Sequence, residues 1–238
     1  MALKFRHLAW LLLLLPACAN AASLGECMGW ADLAPTTRIS LMSVRKGGPV
    51  HFLNNASEQK GCPAAGAKAC QRKDYLVSGD PVLVNAREGE FSCGEYVNAK
   101  GLVRAGWLPT AALVAAADAG SKDFSGQWRG NVEQKITIKV GKAPGMMVLH
   151  GDATFGALDP DRVKRGGVNI GSFDATARSQ GDSLAFTADE GSGTLPYDKG
   201  DAMACRIRMR RLGPFLLVED NRNCGGNNVS FTGDYRRK

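Results

Sequence analysis

The chain has 238 residues, 44% of them hydrophobic and 22% charged, with a formal net charge of +7. That length suits one large or two small domains. Beyond the N-terminus, no apolar run approaches the roughly 20 residues of a membrane-spanning helix, which excludes a helical span in the mature chain.

The first elements in chain order make a secretory signal peptide over residues 1–21. Lys4, Arg6 and His7 give a positive start, residues 8–15 an apolar run, and Pro16 a stop before small residues. Two cleavage patterns compete. Ala19-Asn20-Ala21 is small-x-small, with cutting before Ala22. Leu15-Pro16-Ala17-Cys18 looks like a bacterial lipobox, which would put a lipid anchor on Cys18. The expected location is the periplasm or the secreted fraction, or the membrane surface if Cys18 is lipidated. About 217 residues remain after cleavage at the first site, and loss of Lys4 and Arg6 lowers the charge from +7 to +5. In an envelope, such a surface meets anionic glycans, lipid headgroups or acidic proteins, or serves solubility alone.

The chain holds 7 cysteines, and Cys18 is removed or lipidated under either pattern. Cys27, Cys62, Cys70, Cys93, Cys205 and Cys224 form an even set, which in an oxidising compartment reads as disulfides. Proximity suggests Cys62–Cys70 and Cys205–Cys224, leaving Cys27–Cys93. The irregular spacing and the lack of a C-x2-C pair speak against zinc, and no metal or cofactor is expected.

Residues 22–114 form the first expected domain. Tyr75-Leu76-Val77 leads into a Ser78-Gly79-Asp80 turn, and Val82 and Val84 alternate on a strand. Residues 91–97 make another strand, Asn98-Ala99-Lys100-Gly101 a hairpin turn, and residues 102–107 the return before Leu108-Pro109. Residues 115–122, rich in small residues, read as a linker. Residues 123–238 then give about eight strands: 127–132, 135–140, 146–153, 168–177, 183–187, 204–210, 215–219 and 230–235. Residues 154–167 and 188–203 are longer loops. Phe124-Ser125-Gly126-Gln127-Trp128-Arg129 and Phe231-Thr232-Gly233-Asp234-Tyr235-Arg236 look alike, which predicts that first and last strands pair and shut a barrel.

The order of turn, alternating strand, hairpin and Gly-Trp-Leu-Pro, carried by Gly79, Asp80, Val82, Val84, Gly106, Trp107, Leu108 and Pro109, resembles a bacterial SH3-like (SH3b) domain. The resemblance covers about a third of the chain. It implies a small bent barrel of five strands, of the kind that attaches exported bacterial proteins to cell wall or to other proteins. Gly126-x-Trp128 with a late Arg236 or Arg237 resembles the opening of a lipocalin-type barrel, where an arginine covers the tryptophan. The expected fold class is therefore all-β: an N-terminal SH3-like small barrel followed by a roughly eight-stranded β-barrel or sandwich.

Binding candidates follow from residue type and place. Tyr75, Tyr96, Trp107 and Pro109 are the aromatic and proline positions of the first domain, with barrel packing as the other reading of Trp107. Arg206, Arg208 and Arg210 fall on one strand face at i, i+2, i+4, fit for anionic ligands or simply solvated. Asp220, Asn223 and Asn227 lie in a polar run beside Gly225 and Gly226. That run suits a contact loop, a calcium loop, or a tight turn stapled by Cys224.

A catalytic inventory is thin. His51 and His150 are the histidines of the mature chain, and no G-x-S-x-G, phosphate-loop or HExxH motif occurs. No enzyme activity and no nucleic-acid binding are expected. The expected role is a non-catalytic envelope protein that binds peptidoglycan or an envelope protein through its SH3-like domain. The alternative is an inhibitor or immunity protein against a peptidoglycan hydrolase such as a lysozyme.

Overall fold

The computed structural model describes residues 25–29, 38–98, 101–116, 122–189, 191 and 193–238. The signal peptide, both cleavage sites, Cys18, most of the 115–122 linker and the centre of the 98–101 turn lie outside these. The fold is all-β, as expected. Among the described residues, no helix is long and apolar enough to cross a membrane.

Seven strands make the first sheet: β1 (Ser40–Val44), β2 (Val50–Leu53), β3 (Gln71–Leu76), β4 (Pro81–Glu88), β5 (Phe91–Val97), β6 (Val103–Pro109) and β7 (Leu113–Ala115). Their order is β3-β2-β6-β5-β4-β1-β7, two strands more than the resemblance implied. Register shifts at His51/Leu53 and Val84/Ala86 place irregularities of the kind that bend a strand. Phe52, Leu76, Val82, Val84 and Leu108 belong to one buried apolar cluster of this sheet. Trp107 is 1% exposed and packs with Leu53, Phe91 and two disulfides.

Those disulfides are Cys27–Cys93 and Cys62–Cys70; the third is Cys205–Cys224. Cys27–Cys93 spans 66 residues and ties an N-terminal segment onto β5. A bridge over so long a loop removes much freedom from the unfolded chain. Three disulfides fit an oxidising compartment.

Nine strands make the second sheet: β8 (Gly126–Arg129), β9 (Gln134–Val140), β10 (Met146–Phe155), β11 (Asn169–Arg178), β12 (Ser183–Asp189), β13 (Gly193–Leu195), β14 (Cys205–Leu212), β15 (Phe215–Asp220) and β16 (Gly233–Arg237). A five-residue helix, α1 (Pro160–Lys164), lies in the loop before β11, capped by the Asp159 carboxylate. β13 arises inside the long loop that sequence left unassigned.

The order is β11-β10-β9-β8-β16-β15-β14-β12-β13. The first and last strands of this sheet do pair, through Trp128↔Arg237 and Arg129↔Arg236. Trp128 donates from Nε1 to the Phe124 carbonyl at 2.8 Å. Guanidinium groups of Arg211 and Arg237 lie 4.5 and 4.9 Å from its ring centre. Arg237 also pairs with Asp123 at 2.9 Å. Burial, with Arg237 beside it, pulls Arg211 down to about 10, still a cation at neutral pH.

That pairing does not close the barrel. The sheet's edges are β11 and β13, so the barrel is nearly closed, with a seam between strands that are almost consecutive. Its interior is filled. Phe173 lies 4.8 Å from Phe231 and 5.5 Å from Phe186. Gly151, opposite Phe173 on β10, leaves room for that ring: a Cβ there would lie 2.1 Å from it.

The two sheets share a core of Ile39, Leu41, Leu83 and Val97 against Leu212, Phe215 and Leu217. Arg210 reaches across to the Ile39 carbonyl at 2.8 Å. Within this contact Glu95 of β5 and Asp234 of β16 interact, both buried. Burial first, and the Glu95 carboxylate second, hold the Asp234 carboxyl well above the usual carboxylate range. The folded protein therefore keeps a proton that the unfolded chain releases, so stability falls as pH rises through the raised value. Asp234→Asn cannot ionise and can still donate a hydrogen bond to Glu95. Thermal unfolding across pH should show the variant melting several degrees above the parent at mildly alkaline pH, with the gap shrinking toward acid.

Candidate binding groove

The seam opens into a groove of about 1050 Å³. One wall is the edge strand β11 with its neighbour β10. Strand alternation turns His150 and Asp152 outward on β10, and Ser172 and Asp174 belong to the same outer face of β11. The register sets His150 opposite Asp174 and Asp152 opposite Ser172. His150 Nδ1 is 2.8 Å from Asp174 Oδ1, and Nε2 is 3.1 Å from Asp152 Oδ2. Both ring nitrogens face acceptors, which only the doubly protonated imidazolium satisfies. The Asp174 hydrogen bond, more than the charges, raises the His150 pKa.

The opposite wall is the stretch from β12 to β14. The Asp189 carboxylate accepts from the Gly191 N–H at 3.1 Å and the Asp201 N–H at 3.4 Å. Asp201 accepts from the Met203 N–H at 2.7 Å. These bonds shape the loop. Four aspartates, 152, 174, 189 and 201, thus line a groove in a basic protein. Its floor is apolar: Ala153, Phe173, Ala188, Ala204 and the Cys205–Cys224 bridge.

A clasp formed by residues 221–229 closes one end. Gly226 N–H bonds the Ile170 carbonyl at 3.0 Å, and the Asn169 amide donates to the Asn227 carbonyl at 2.6 Å. Gly171 and Gly225 let the two backbones meet: a Cβ on Gly171 would lie 2.4 Å from the Cys224 carbonyl oxygen. The left-handed positions of this turn are Arg222 and Asn228, at φ 62° and 65°, so Gly225 serves close approach. At the other end of the seam, the Thr176 N–H donates to Thr194 Oγ1 at 2.9 Å.

The residues singled out from sequence fall in several places. Tyr75 is 56% exposed on β3, tilted against His51 at 5.5 Å. Tyr96 and Pro109 are half-buried at separate points of the first sheet, and Trp107 is in its core. Arg206, Arg208 and Arg210 do share one face of β14, but each is engaged within the chain. Arg206 donates to the carbonyls of Tyr197, Ala202 and Asp201 at 3.1, 3.1 and 2.9 Å. Arg208 grips Glu219 with two bonds of 3.0 and 2.9 Å. Arg210 pairs with Asp182 at 3.0 Å. Asp220 accepts from Ser230 Oγ, Phe231 N and Thr232 Oγ1 at 2.8, 2.9 and 2.8 Å, which orients the return to β16. Asn223 lines the groove; with Asn227 it also lines a second hollow of about 570 Å³ behind the clasp.

Sequence reasoning missed His150, Asp152, Asp174, Asp189 and Asp201 as a group. The signal within reach was His150-x-Asp152, two polar residues on one face of a strand. No family model matches the chain, and no curated protein or solved structure gives a match.

A raised histidine pKa adds stability that is complete below the ordinary 6.5 and is lost as pH rises through the folded value. An NMR titration of the His150 ring should give a midpoint above 6.5, and Asp174→Asn should bring it back toward that figure.

Proposed function

We propose that this is a non-catalytic protein of the cell envelope that binds a protein partner, with the seam groove as its contact site. The observation that carries this reading is the acid-lined groove set on a sheet edge in an otherwise basic chain. Anionic wall polymers would be repelled from that groove, whereas a cationic protein surface would be drawn to it. The three disulfides suit the compartment. The SH3-like resemblance of the first sheet supports attachment to wall or to a protein, with exposed Tyr75 as its contact on that side.

The local charge also favours a second reading, inhibition of a basic peptidoglycan hydrolase. The overall positive charge would repel such an enzyme, but the four groove aspartates offer it a complementary face. In a lysis assay against a panel of basic lysozymes, the parent protein should protect, and Asp152→Asn with Asp174→Asn should lose most of that protection.

Photocrosslinking tests the main reading directly. A photoreactive phenylalanine analogue at Ile170 or Met203, each 72% exposed at the groove, should yield protein adducts in the native envelope. The same analogue at Val132 or Val140, similarly exposed elsewhere, should not. Adducts at no groove position, together with co-sedimentation of the protein with purified sacculi, would replace a protein partner by the wall.

A further inference from the structure

We infer that the groove takes an extended basic segment of its partner as an added β-strand on β11. This rests on the reading of a protein partner at the groove and names how it is held.

The register dictates which backbone groups face the seam. The Thr176 N–H and the Ile170 carbonyl both point away from β10, toward Thr194 and Gly226. Backbone groups of alternate residues on a strand point the same way, so Ser172 and Asp174 also direct their N–H and C=O out of the sheet. β11 pairs with β10 alone, and no described residue bonds these groups. They form an open stretch of edge between the clasp and the Thr194 contact. The open stretch, residues 171–175, spans roughly 17 Å at about 3.3 Å per residue, enough for about five residues of an added strand. The groove beside it, at about 1050 Å³, is close to the upper end of the roughly 300–1,000 Å³ typical of ligand sites.

The side chains around this edge choose the occupant. A strand laid there alternates its side chains between two faces. On the inner face it meets Ala153, Phe173, Ala188, Ala204 and the disulfide, an apolar lining that suits apolar residues. On the outer face it meets Asp152 and Asp174, with Asp189 and Asp201 across the gap. His150 cancels part of this charge when protonated, and the groove becomes more negative as His150 loses its proton. The fitting segment is therefore extended, with Lys or Arg alternating with apolar residues. A second copy of this chain does not fit, because two β11 edges would set aspartates against aspartates. Charged residues on an exposed edge are a common guard against such pairing; here they exclude self-association and admit a cation.

The test uses the oxidised mature protein and four blocked heptapeptides. The first alternates lysine and valine. The second carries glutamate in place of lysine. The third is the first peptide N-methylated at alternate residues on one edge, and the fourth is N-methylated on the other edge. Binding is read by fluorescence anisotropy, and hydrogen exchange of the Ser172 and Asp174 amides by NMR. The lysine peptide should slow exchange at both amides at least tenfold, and bind at least tenfold more weakly when salt is raised from low to near-molar. The glutamate peptide should bind at least tenfold more weakly. One of the two methylated peptides should lose both binding and protection, since a strand presents only one edge to β11. Binding of the lysine peptide without protection of those amides, or equal binding of both methylated peptides, would overturn the inference. So would concentration-dependent protection of the two amides in the protein alone, which would assign the edge to a second copy. Protein adducts at Ile170 with unprotected amides would leave the proposed function standing and remove only the added strand.

Discussion

The short ladder between β8 and β16 decides where the second sheet is able to open. It joins residues more than a hundred positions apart, and its partners are held from several sides. Trp128 lies against two guanidinium groups, its indole N–H is bound by the Phe124 carbonyl, and Asp123 pairs with Arg237. A buried aromatic ring flanked by cations, with its one donor satisfied, is a costly place to break. With the first and last strands of the second sheet, β8 and β16, joined in mid-sheet, its free edges are β11 and β13. The groove lies at the seam between those edges.

The contact between the sheets is of a different kind. An apolar patch makes it, and a buried pair of carboxyl groups qualifies it. Such a pair is tolerated because burial and the Glu95 carboxylate hold the Asp234 carboxyl in its protonated, neutral form. Arg210 adds a polar link from β14 to the Ile39 carbonyl. The arginine row that looked like an anion site is thus committed to holding loops and sheets in place.

Much of this was legible in the sequence, and for definite reasons. Glycine-punctuated runs of alternating residues implied an all-β chain, and the similar ends of the second unit implied that β8 and β16 pair. Cysteine proximity suggested the observed disulfides. β13 was not legible, because three residues, Gly193–Leu195, are too short a run for alternation to show. The groove was hidden for another reason. His150 and Asp174 are 24 positions apart and meet only through the register of β10 on β11. Asp189 and Asp201 come from a loop whose path depends on β13. The same-face geometry of Arg206, Arg208 and Arg210 was readable, but their partners Glu219 and Asp182 sit on other strands and turns, so their engagement was not.

The Cys205–Cys224 bridge has a consequence for timing. It anchors the clasp to the start of β14, and the clasp forms one end of the groove. Without the bridge, the clasp depends on hydrogen bonds from Gly226 and Asn169 at a surface where water competes for them. Under reducing conditions the chain therefore lacks the covalent part of this groove wall. Oxidation completes it, so the wall of the groove is finished only in a compartment where its cysteines can pair.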